Sequence, residues 1–165
     1  MLTRLSIHGV AVVAAALLAL VPSLVNAAPP NPRLERDLVA LTNVDRTSNG
    51  LVSLIENDPL IGVARERSDD MVNRNYFAHE IPPDGTLVFD LMRDRTIAYL
   101  VAGENIAWNT SAEATTVQRA QQDFMNSPLH RANILRDDYN SIGVGAVQGN
   151  PRTMYTVLFM RVADG

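Results

Sequence analysis

The sequence predicts an α+β domain, arranged as a three-layer α–β–α sandwich around a small antiparallel sheet. Helical apolar spacing alternates with extended segments along the chain, and the last two extended segments flank the turn signal Gly149-Asn150-Pro151. The second of them, residues 154–162, is a strongly apolar run typical of a strand that is covered on both faces. Helices on both sides of the sheet provide that cover.

The first two helices have recognisable ends. Helical apolar spacing begins at Leu34, and Asn49-Gly50 ends the segment with a turn signal. In the second helix we expect Asp58 to cap the N-terminus and Pro59 to occupy the first helical position, where no amide hydrogen is required. The apolar face of the first helix is predicted to contain Leu34, Leu38, Leu41 and Val44 or Asp45. The buried stripe of the second is predicted to contain Leu60, Ile61, Ala64, Met71 and Val72.

The middle of the chain is predicted to add two helices and a strand. A short third helix is expected before residues 99–107, which have the β-branched and aromatic content of a strand. Gly103 interrupts this strand and indicates a bulge or the close approach of another group. Residues 110–126 form the clearest helix, in which Thr110 and Glu113 have the spacing of a capping box.

The N-terminus has the features of an export signal. A short basic start precedes an apolar run at residues 10–21, and Val25-Asn26-Ala27 fits a small-x-small cleavage rule. The run is shorter than the roughly 20 residues that span a bilayer. We therefore expect a cleaved signal peptide at 1–27, a flexible segment at 28–33 and a single domain at 34–165. The expected product is secreted without a stable membrane anchor; the alternative is an uncleaved N-terminal anchor.

Composition and charge exclude several classes of site and partner. The chain has no cysteine, which excludes a disulfide framework, a thiolate metal site and the acylated cysteine of a lipoprotein anchor. Its formal net charge is -4 at pH 7, so it lacks the basic surface with which proteins bind nucleic-acid phosphates. Nucleic acid is therefore not an expected partner.

Two histidines remain after the predicted signal peptide, and each lies in a recognisable motif. His79 ends the sequence Tyr-Phe-Ala-His, and His130 falls in the first turn of a short helix that Ser127-Pro128 begins. Glu104 lies between the histidines along the chain, in the sequence Gly-Glu-Asn-Ile-Ala. Two neutral imidazoles and one carboxylate are a set that can bind zinc and leave one position open for water or a ligand.

A purely structural interpretation of these residues stays open. His79 would then bond a loop carbonyl, and His130 would pack against the start of its helix. Glu104 would accept backbone amides or pair with Arg131. Trp108, the only tryptophan, is either a ligand platform or part of the packing at the rim. The spacing does not decide between these interpretations, since the more specific local motif H-E-x-x-H is absent.

In their order and spacing, the motifs resemble those of bacterial members of the CAP superfamily, also called the SCP domain. Eukaryotic relatives include cysteine-rich secretory, antigen 5 and pathogenesis-related proteins. The resemblance extends from about Leu38 to Arg161. The motifs that carry it are Asn43-x-x-Arg46-x-x-x-Gly50-Leu51, Phe77-x-His79, Gly103-Glu104-Asn105-Ile106-Ala107, Phe124-Met125-Asn126-Ser127-Pro128-Leu129-His130-Arg131-x-Asn133-Ile134-Leu135 and Ile142-Gly143-Val144-Gly145.

The resemblance implies a three-layer α–β–α fold in which His79, Glu104 and His130 line one surface cleft. Some family members bind a divalent cation such as zinc there, for which His79 and His130 are the candidate ligands, although we expect no obligatory cofactor. The second glutamate of many eukaryotic members would fall near Ser127, which cannot replace it. Arg131 and Asn133 are expected to satisfy buried backbone groups near the cleft. The residues that we expect to support the cleft are Asn105, Ser127, Arg131 and Asn133.

These observations favour a secreted binding module over an enzyme. Its cleft would bind an unidentified small or extended ligand, such as a lipid, a cell-wall fragment or a protein, with or without a divalent cation. The alternative is a hydrolase in which His79 or His130 is the general base and Glu104 orients it, or in which zinc activates water. No serine lies in a recognisable nucleophile elbow, and Ser127 is better explained as a helix cap. A third interpretation is a structural or antigenic surface protein whose cleft has no ligand.

Overall fold

A computed structural model of the protein describes residues 28–162. The predicted signal peptide at 1–27 lies outside the described residues. Among residues 28–162, no helix has both the length and the apolar character needed to cross a membrane. The helices are α1 (Pro32–Ser48), α2 (Asp58–Asn73), α3 (Val88–Asp94), α4 (Glu113–Asn126) and α5 (Pro128–Ile134). The strands are β1 (Ile55–Glu56), β2 (Tyr99–Asn109), β3 (Ser141–Gln148) and β4 (Thr153–Val162).

The described strands form one sheet in the order β1-β3-β4-β2. The predicted hairpin of β3 and β4 is confirmed, and β2 pairs antiparallel with the other side of β4. The central position of β4 explains its continuous apolar sequence, because both faces of the strand are buried from Thr153 to Met160. The sheet is not purely antiparallel, since the short β1 pairs parallel with β3.

Helices cover both faces of the sheet, which confirms the three-layer fold. One layer consists of α2 and α3, and the other consists of α1, α4 and α5. Glycines in β3 allow α2 to lie directly on the sheet. A Cβ atom on Gly145 would lie 2.2 Å from the carbonyl oxygen of Ala64. Gly103 in β2 meets the close neighbour that the sequence indicated, since a Cβ atom there would lie 2.4 Å from the Tyr139 hydroxyl.

Several predicted helix ends are wrong by a few residues. Asn57, and not Asp58, caps α2, because the Asn57 side chain accepts a hydrogen bond from the Leu60 amide at 3.1 Å. The capping box of Thr110 and Glu113 does not form, since α4 begins at Glu113 itself. The Asn109 side chain fixes this turn instead, and its Oδ1 accepts hydrogen bonds from the Ser111 amide and the Thr116 hydroxyl.

The N-terminal end of α1 also differs from the prediction. The helix begins at Pro32, two residues before Leu34, and the Asn31 side chain caps it. The preceding backbone lies along β3, where the amides of Ala28 and Asn31 donate to the carbonyls of Gln148 and Ala146.

The buried face of α1 ends in an arginine. Of the two predicted alternatives, Val44 is 58% exposed and Asp45 is partly buried. The face continues through Thr42 and Arg46, four residues apart. Arg46 is buried because its guanidinium donates to three carbonyls, those of Val52, Ile134 and Arg136. It therefore joins α1 to the following loop and to the end of α5.

Candidate functional site

The candidate residues on β2 point to opposite faces of the sheet, since successive side chains of a strand alternate. Glu104 points to the α2 layer, where it contacts His79 and Arg67. Asn105 points to the α5 layer, where its amide donates to the His130 carbonyl at 3.0 Å. The two histidine motifs therefore meet β2 from different faces of the sheet.

A short contact joins His79 to Glu104. The Nδ1 atom of His79 lies 2.6 Å from Oε2 of Glu104. The carboxylate is 4% exposed, whereas the imidazole is 50% exposed. An ionised carboxylate only accepts hydrogen bonds, so Nδ1 donates and Nε2 remains available. The structure thus holds a solvent-facing imidazole in place by means of a buried acid.

Arg67 is the residue of this site that the sequence reasoning missed. Its side chain is fully buried, and its Nε lies 3.3 Å from Oε1 of Glu104. The two charges are adjacent, yet neither atom makes a hydrogen bond, because the geometry is poorly aligned for one. The other guanidinium nitrogens donate to the Tyr76 hydroxyl and to the carbonyls of Ala78 and His79.

The alternative in which Glu104 pairs with Arg131 is wrong, since Glu104 faces His79 and Arg67. Arg131 is exposed, and within residues 28–162 its side chain bonds only that of Asn49, at 3.5 Å. A sequence signal for Arg67 did exist. It lies three residues after Ala64 and four before Met71, which places it on the buried stripe of α2.

A second charged network supports the loop that carries His79. The Tyr76 hydroxyl donates to Asp70, which also binds Arg74. Burial opposes the ionisation of Asp70, but the hydrogen bonds from Arg74 and Tyr76 outweigh it and hold the pKa of this carboxyl below its usual value. Burial, together with the bond to Asp70, raises the pKa of Tyr76. Arg67 also bonds this hydroxyl, so the network is continuous with the buried ion pair.

His130 lies in the first turn of α5, as predicted, and packs edge-on against Phe124 with ring centroids 5.3 Å apart. The ring is half-buried. Burial, and to a lesser extent the neighbouring charge of His79, lowers the pKa of His130 below its usual 6.5.

A surface cavity of about 220 Å³ brings parts of the two histidine motifs together. It crosses the edge of β2, with Phe77 on the side of the α2 layer and His130 on the side of the α5 layer. Its lining consists of Phe77, Ile106, Ala107, Trp108, Asp123, Phe124, Ser127 and His130. Of the three residues expected to line one cleft, His130 lines this cavity, whereas His79 and Glu104 do not.

The predicted supporting residues have different roles. Asn133 donates to the Glu104 carbonyl at 3.3 Å and to the Asn105 side chain at 2.8 Å, so it satisfies backbone beside the cleft as expected. Among the residues that the structure describes, the exposed Arg131 side chain satisfies no buried backbone group. Ser127 occupies the cap position of α5, but its side chain makes no capping bond. It lines the cavity instead.

The donors of the site do not form a complete metal set. Among residues 28–162, no three His, Asp or Glu side chains are grouped so that they could hold a metal ion. Glu104 faces His79 with one carboxylate oxygen and Arg67 with the other. The imidazoles of His79 and His130 are therefore the remaining candidate donors for a cation.

Comparison with known proteins identifies the family. The family model of CAP, the cysteine-rich secretory protein family, matches residues 39–159. The uncharacterized protein YkwD of Bacillus subtilis (strain 168) is 40% identical over 114 residues, which are 69% of this chain and 42% of that protein. The uncharacterized membrane protein YlbC of the same organism is 35% identical over 127 residues, which are 77% of this chain and 34% of that protein. The chain thus spans less than half the length of these relatives.

Solved structures agree with this assignment. An extracellular SCP-domain protein from Bacillus anthracis str. Ames has a TM-score of 0.69 and 32% identity, with 79% of this chain and 41% of that chain covered. An outer surface protein from Borrelia burgdorferi has a TM-score of 0.70, with 78% of this chain and 92% of that chain covered, but its 19% identity shows only a shared fold. The matched family model, the fold and the order of the motifs together show that this cysteine-free chain belongs to the cysteine-rich secretory protein (CAP) family.

Proposed function

We propose that this protein is a secreted CAP domain that binds a small or extended ligand in the cleft between His79 and His130. The predicted signal peptide supports secretion, and the B. anthracis relative with 32% identity is described as extracellular. Ligand candidates are a lipid, a cell-wall fragment or a segment of another protein.

One observation carries the proposal: a buried carboxylate holds a half-exposed imidazole at 2.6 Å. Burying Glu104 beside Arg67 has a desolvation cost, and stability alone does not require that an exposed ring be fixed as well. A fixed ring loses less conformational freedom when a ligand binds, so it is suited to recognition. Its Nε2 atom can bond a ligand or a cation.

A divalent cation such as zinc would be held by His79 and His130 in this proposal. Glu104 would then orient the His79 ring from behind and would not be a ligand itself, an arrangement that is common for metal-binding histidines. Zinc is usually four-coordinate in proteins, so the remaining positions would be filled by water or by the bound molecule. The cation would supply a positive charge for polar groups of the ligand.

Calorimetric zinc titration of the full-length protein tests the cation. We expect binding heat for the wild type, none for the His79→Ala/His130→Ala double variant, and unchanged heat for Arg131→Ala, which changes an exposed residue next to His130. Equal heats from the wild type and the double variant would remove zinc from the proposal.

Native mass spectrometry tests ligand binding without assuming a metal. The protein is incubated with a bacterial lipid extract, with peptidoglycan fragments or with a mixture of short peptides. We expect an adduct from one of these mixtures with the wild type and with Arg131→Ala, and no adduct with the double variant. An adduct of equal intensity on the double variant, or no adduct on any protein from a mixture, would contradict binding of that ligand class in this cleft.

A hydrolase is the second candidate, and one observation favours it. The pair of Glu104 and His79 has the geometry of an orienting acid and a general base. The Ser127 hydroxyl lines the same cavity as His130, but within residues 28–162 no hydrogen bond joins it to either imidazole, so water is the better nucleophile. Casein and a fluorogenic peptide serve as substrates. Turnover that exceeds a heat-inactivated control and is lost in Glu104→Gln would support this function, and its absence would count against it.

A further inference from the structure

We infer that the ligand of this cleft is an extended polypeptide segment, which pairs as an added strand with the open edge of β2 at Ile106 and Trp108. This inference rests on the proposed function, because the edge lies in the cavity between the two histidine motifs. It names the class of ligand and the backbone groups that recognise it.

The directions of the backbone groups follow from the sheet. On the β1 side, the carbonyls of Asn140 and Ile142 accept hydrogen bonds from the amides of Ile55 and Asn57, both at 3.0 Å. Successive residues of a strand point their amide and carbonyl groups to opposite sides. Gly145, three residues after Ile142, therefore points towards β4.

The pairing of residues between strands gives the directions of the backbone groups in β2. Gly145 is paired with Thr156, so Thr156 faces β3 and its neighbour Tyr155 faces β2. Tyr155 is paired with Ala107, which therefore faces β4. Ile106 and Trp108, on either side of Ala107, point their amide and carbonyl groups away from the sheet.

A side-chain bond agrees with this assignment. Glu104 lies two residues before Ile106, so its amide and carbonyl also point away from β4. Its carbonyl accepts a hydrogen bond from Asn133 of α5, which lies outside the sheet. After Trp108 the chain turns, because the Asn109 side chain accepts a hydrogen bond from the Ser111 amide. The protein thus covers the edge on both sides of these two residues.

Between these two covers lie Ile106 and Trp108. Trp108 is 43% exposed, whereas Ile106 is 4% exposed and reaches the surface at the cavity. In the part of the chain that the structure describes, no hydrogen bond is made to the outward amide or carbonyl of Ile106 or of Trp108. Both residues line the cavity of about 220 Å³. Unpaired groups of this kind form a template on which an extended chain can add as a strand.

The walls of the cavity suit the side chains of such a strand. A strand points alternate side chains to opposite faces of its sheet. On the α2 side they would meet the rings of Phe77 and Trp108, each 43% exposed. On the other side they would meet Phe124 and His130.

The charges near the cavity compensate one another, which suits a neutral backbone. Glu104 lies against Arg67, and Asp123 is bonded by Arg119 at 2.8 Å. A lipid chain would cover the amide and carbonyl groups without bonding them, at a cost for each group. A polypeptide supplies both a donor and an acceptor for each open residue.

The test begins with a synthetic library of capped hexapeptides that have apolar residues at alternate positions. The full-length protein captures binders, which are identified by mass spectrometry, and the tightest binder is made again with N-methyl groups on alternate amides. Methylation blocks the backbone donors of one edge of the peptide only. We expect one methylation frame to weaken binding at least about tenfold, roughly the effect of one or two hydrogen bonds, and the other frame to have little effect.

Variants of Trp108 provide the matched control on the protein. Trp108→Ala and Trp108→Pro both remove the indole, but only proline removes the outward amide hydrogen. A proline is tolerated where the amide of an edge strand faces outward. We expect Trp108→Pro to bind the hexapeptide at least about tenfold more weakly than Trp108→Ala. Thermal unfolding verifies that both variants are folded. If Trp108→Pro is not folded, the comparison of the two methylated peptides alone tests strand pairing.

The outcomes separate the two proposals. Capture of no hexapeptide, equal affinity of the two methylation frames, or equal binding by folded Trp108→Pro and Trp108→Ala would each overturn strand pairing. A concentration-dependent dimer of the protein that Trp108→Pro abolishes would assign the edge to a second copy of this chain and overturn it too. Frame-dependent binding that is unchanged in the His79→Ala/His130→Ala variant would support strand pairing, while showing that the histidines are not the binding determinants.

Discussion

Glu104 reaches across the buried side of the cleft to His79, and the 2.6 Å contact between them joins an almost fully buried carboxylate to a half-exposed imidazole. Arg67 stands behind the same carboxylate and also bonds the backbone of the loop that carries His79. The position of the histidine therefore depends on a buried ion pair, and the stability of the domain and the shape of the cleft are coupled at Glu104.

Replacing Glu104 with alanine is expected to destabilise the protein. The change leaves the Arg67 charge buried without its partner, which typically costs roughly 3–5 kcal/mol. Urea denaturation measures the free energy of unfolding. The double variant Arg67→Met/Glu104→Gln should lose less than the sum of the two single changes, because it removes both charges. Additive losses would mean that the two side chains do not interact.

Stability should depend on pH through His130. Its folded-state pKa lies below the usual 6.5, so the unfolded chain binds the proton first as the pH falls. The free energy of unfolding should therefore decrease below about pH 6.5 and stop decreasing, as far as this group is concerned, below the folded pKa. Denaturation midpoints between about pH 8 and about pH 5, compared between the wild type and His130→Gln, isolate this contribution. Parallel curves would show that the ring does not titrate differently in the folded state.

The contact between α2 and the sheet should not tolerate a methyl group at Gly145. An added Cβ atom would lie 2.2 Å from the Ala64 carbonyl oxygen, and backbone cannot rotate away as a side chain can. We expect Gly145→Ala to cost about 1–3 kcal/mol or more. Gly62 in α2 is the matched control, since nothing lies within 4 Å of its Cβ position. Gly62→Ala should stabilise the protein by up to about 1 kcal/mol. Equal melting temperatures for the two variants would contradict this packing.

Arg46 should not be replaceable by lysine. Its guanidinium donates to the carbonyls of Val52, Ile134 and Arg136. The single ammonium group of lysine cannot place its donors in the same directions. Leaving a buried carbonyl unpaired should cost about 1–3 kcal/mol in the free energy of unfolding. Arg36→Lys, an exposed change on the same helix, should stay within about 0.5 kcal/mol of the wild type. A similarly small change for Arg46→Lys would mean that water replaces the lost bonds.

Much of the fold could be predicted from local pattern. The hairpin of β3 and β4, the burial of β4 on both faces and the close approach at Gly103 all follow from short-range signals. The helix ends were less accessible, because neighbouring polar residues compete for the same role. Asn57 caps α2 in place of Asp58 one position later, and both are good capping residues.

The candidate site was accessible only in part. The motifs indicated His79, Glu104 and His130, but not what holds them. Arg67 lies on the buried stripe of α2, but its charged partner Glu104 is 37 positions away in the chain. Arg131 lies beside His130 in a motif, but its side chain is exposed and contacts Asn49 instead of Glu104. Such partners follow from the packing of layers, which local sequence does not encode.

The two walls of the cleft belong to different layers and share only the edge of β2. One wall belongs to the α2 layer and is held by the bond of Arg67 to the His79 carbonyl. The other belongs to α5 and is held by the bond of Asn105 to the His130 carbonyl. The hydrogen bonds that support one wall are therefore separate from those that support the other, apart from the bond of Asn133 to the Glu104 carbonyl. Within one unchanged scaffold, ligand preference can diverge by small, independent steps on either flank.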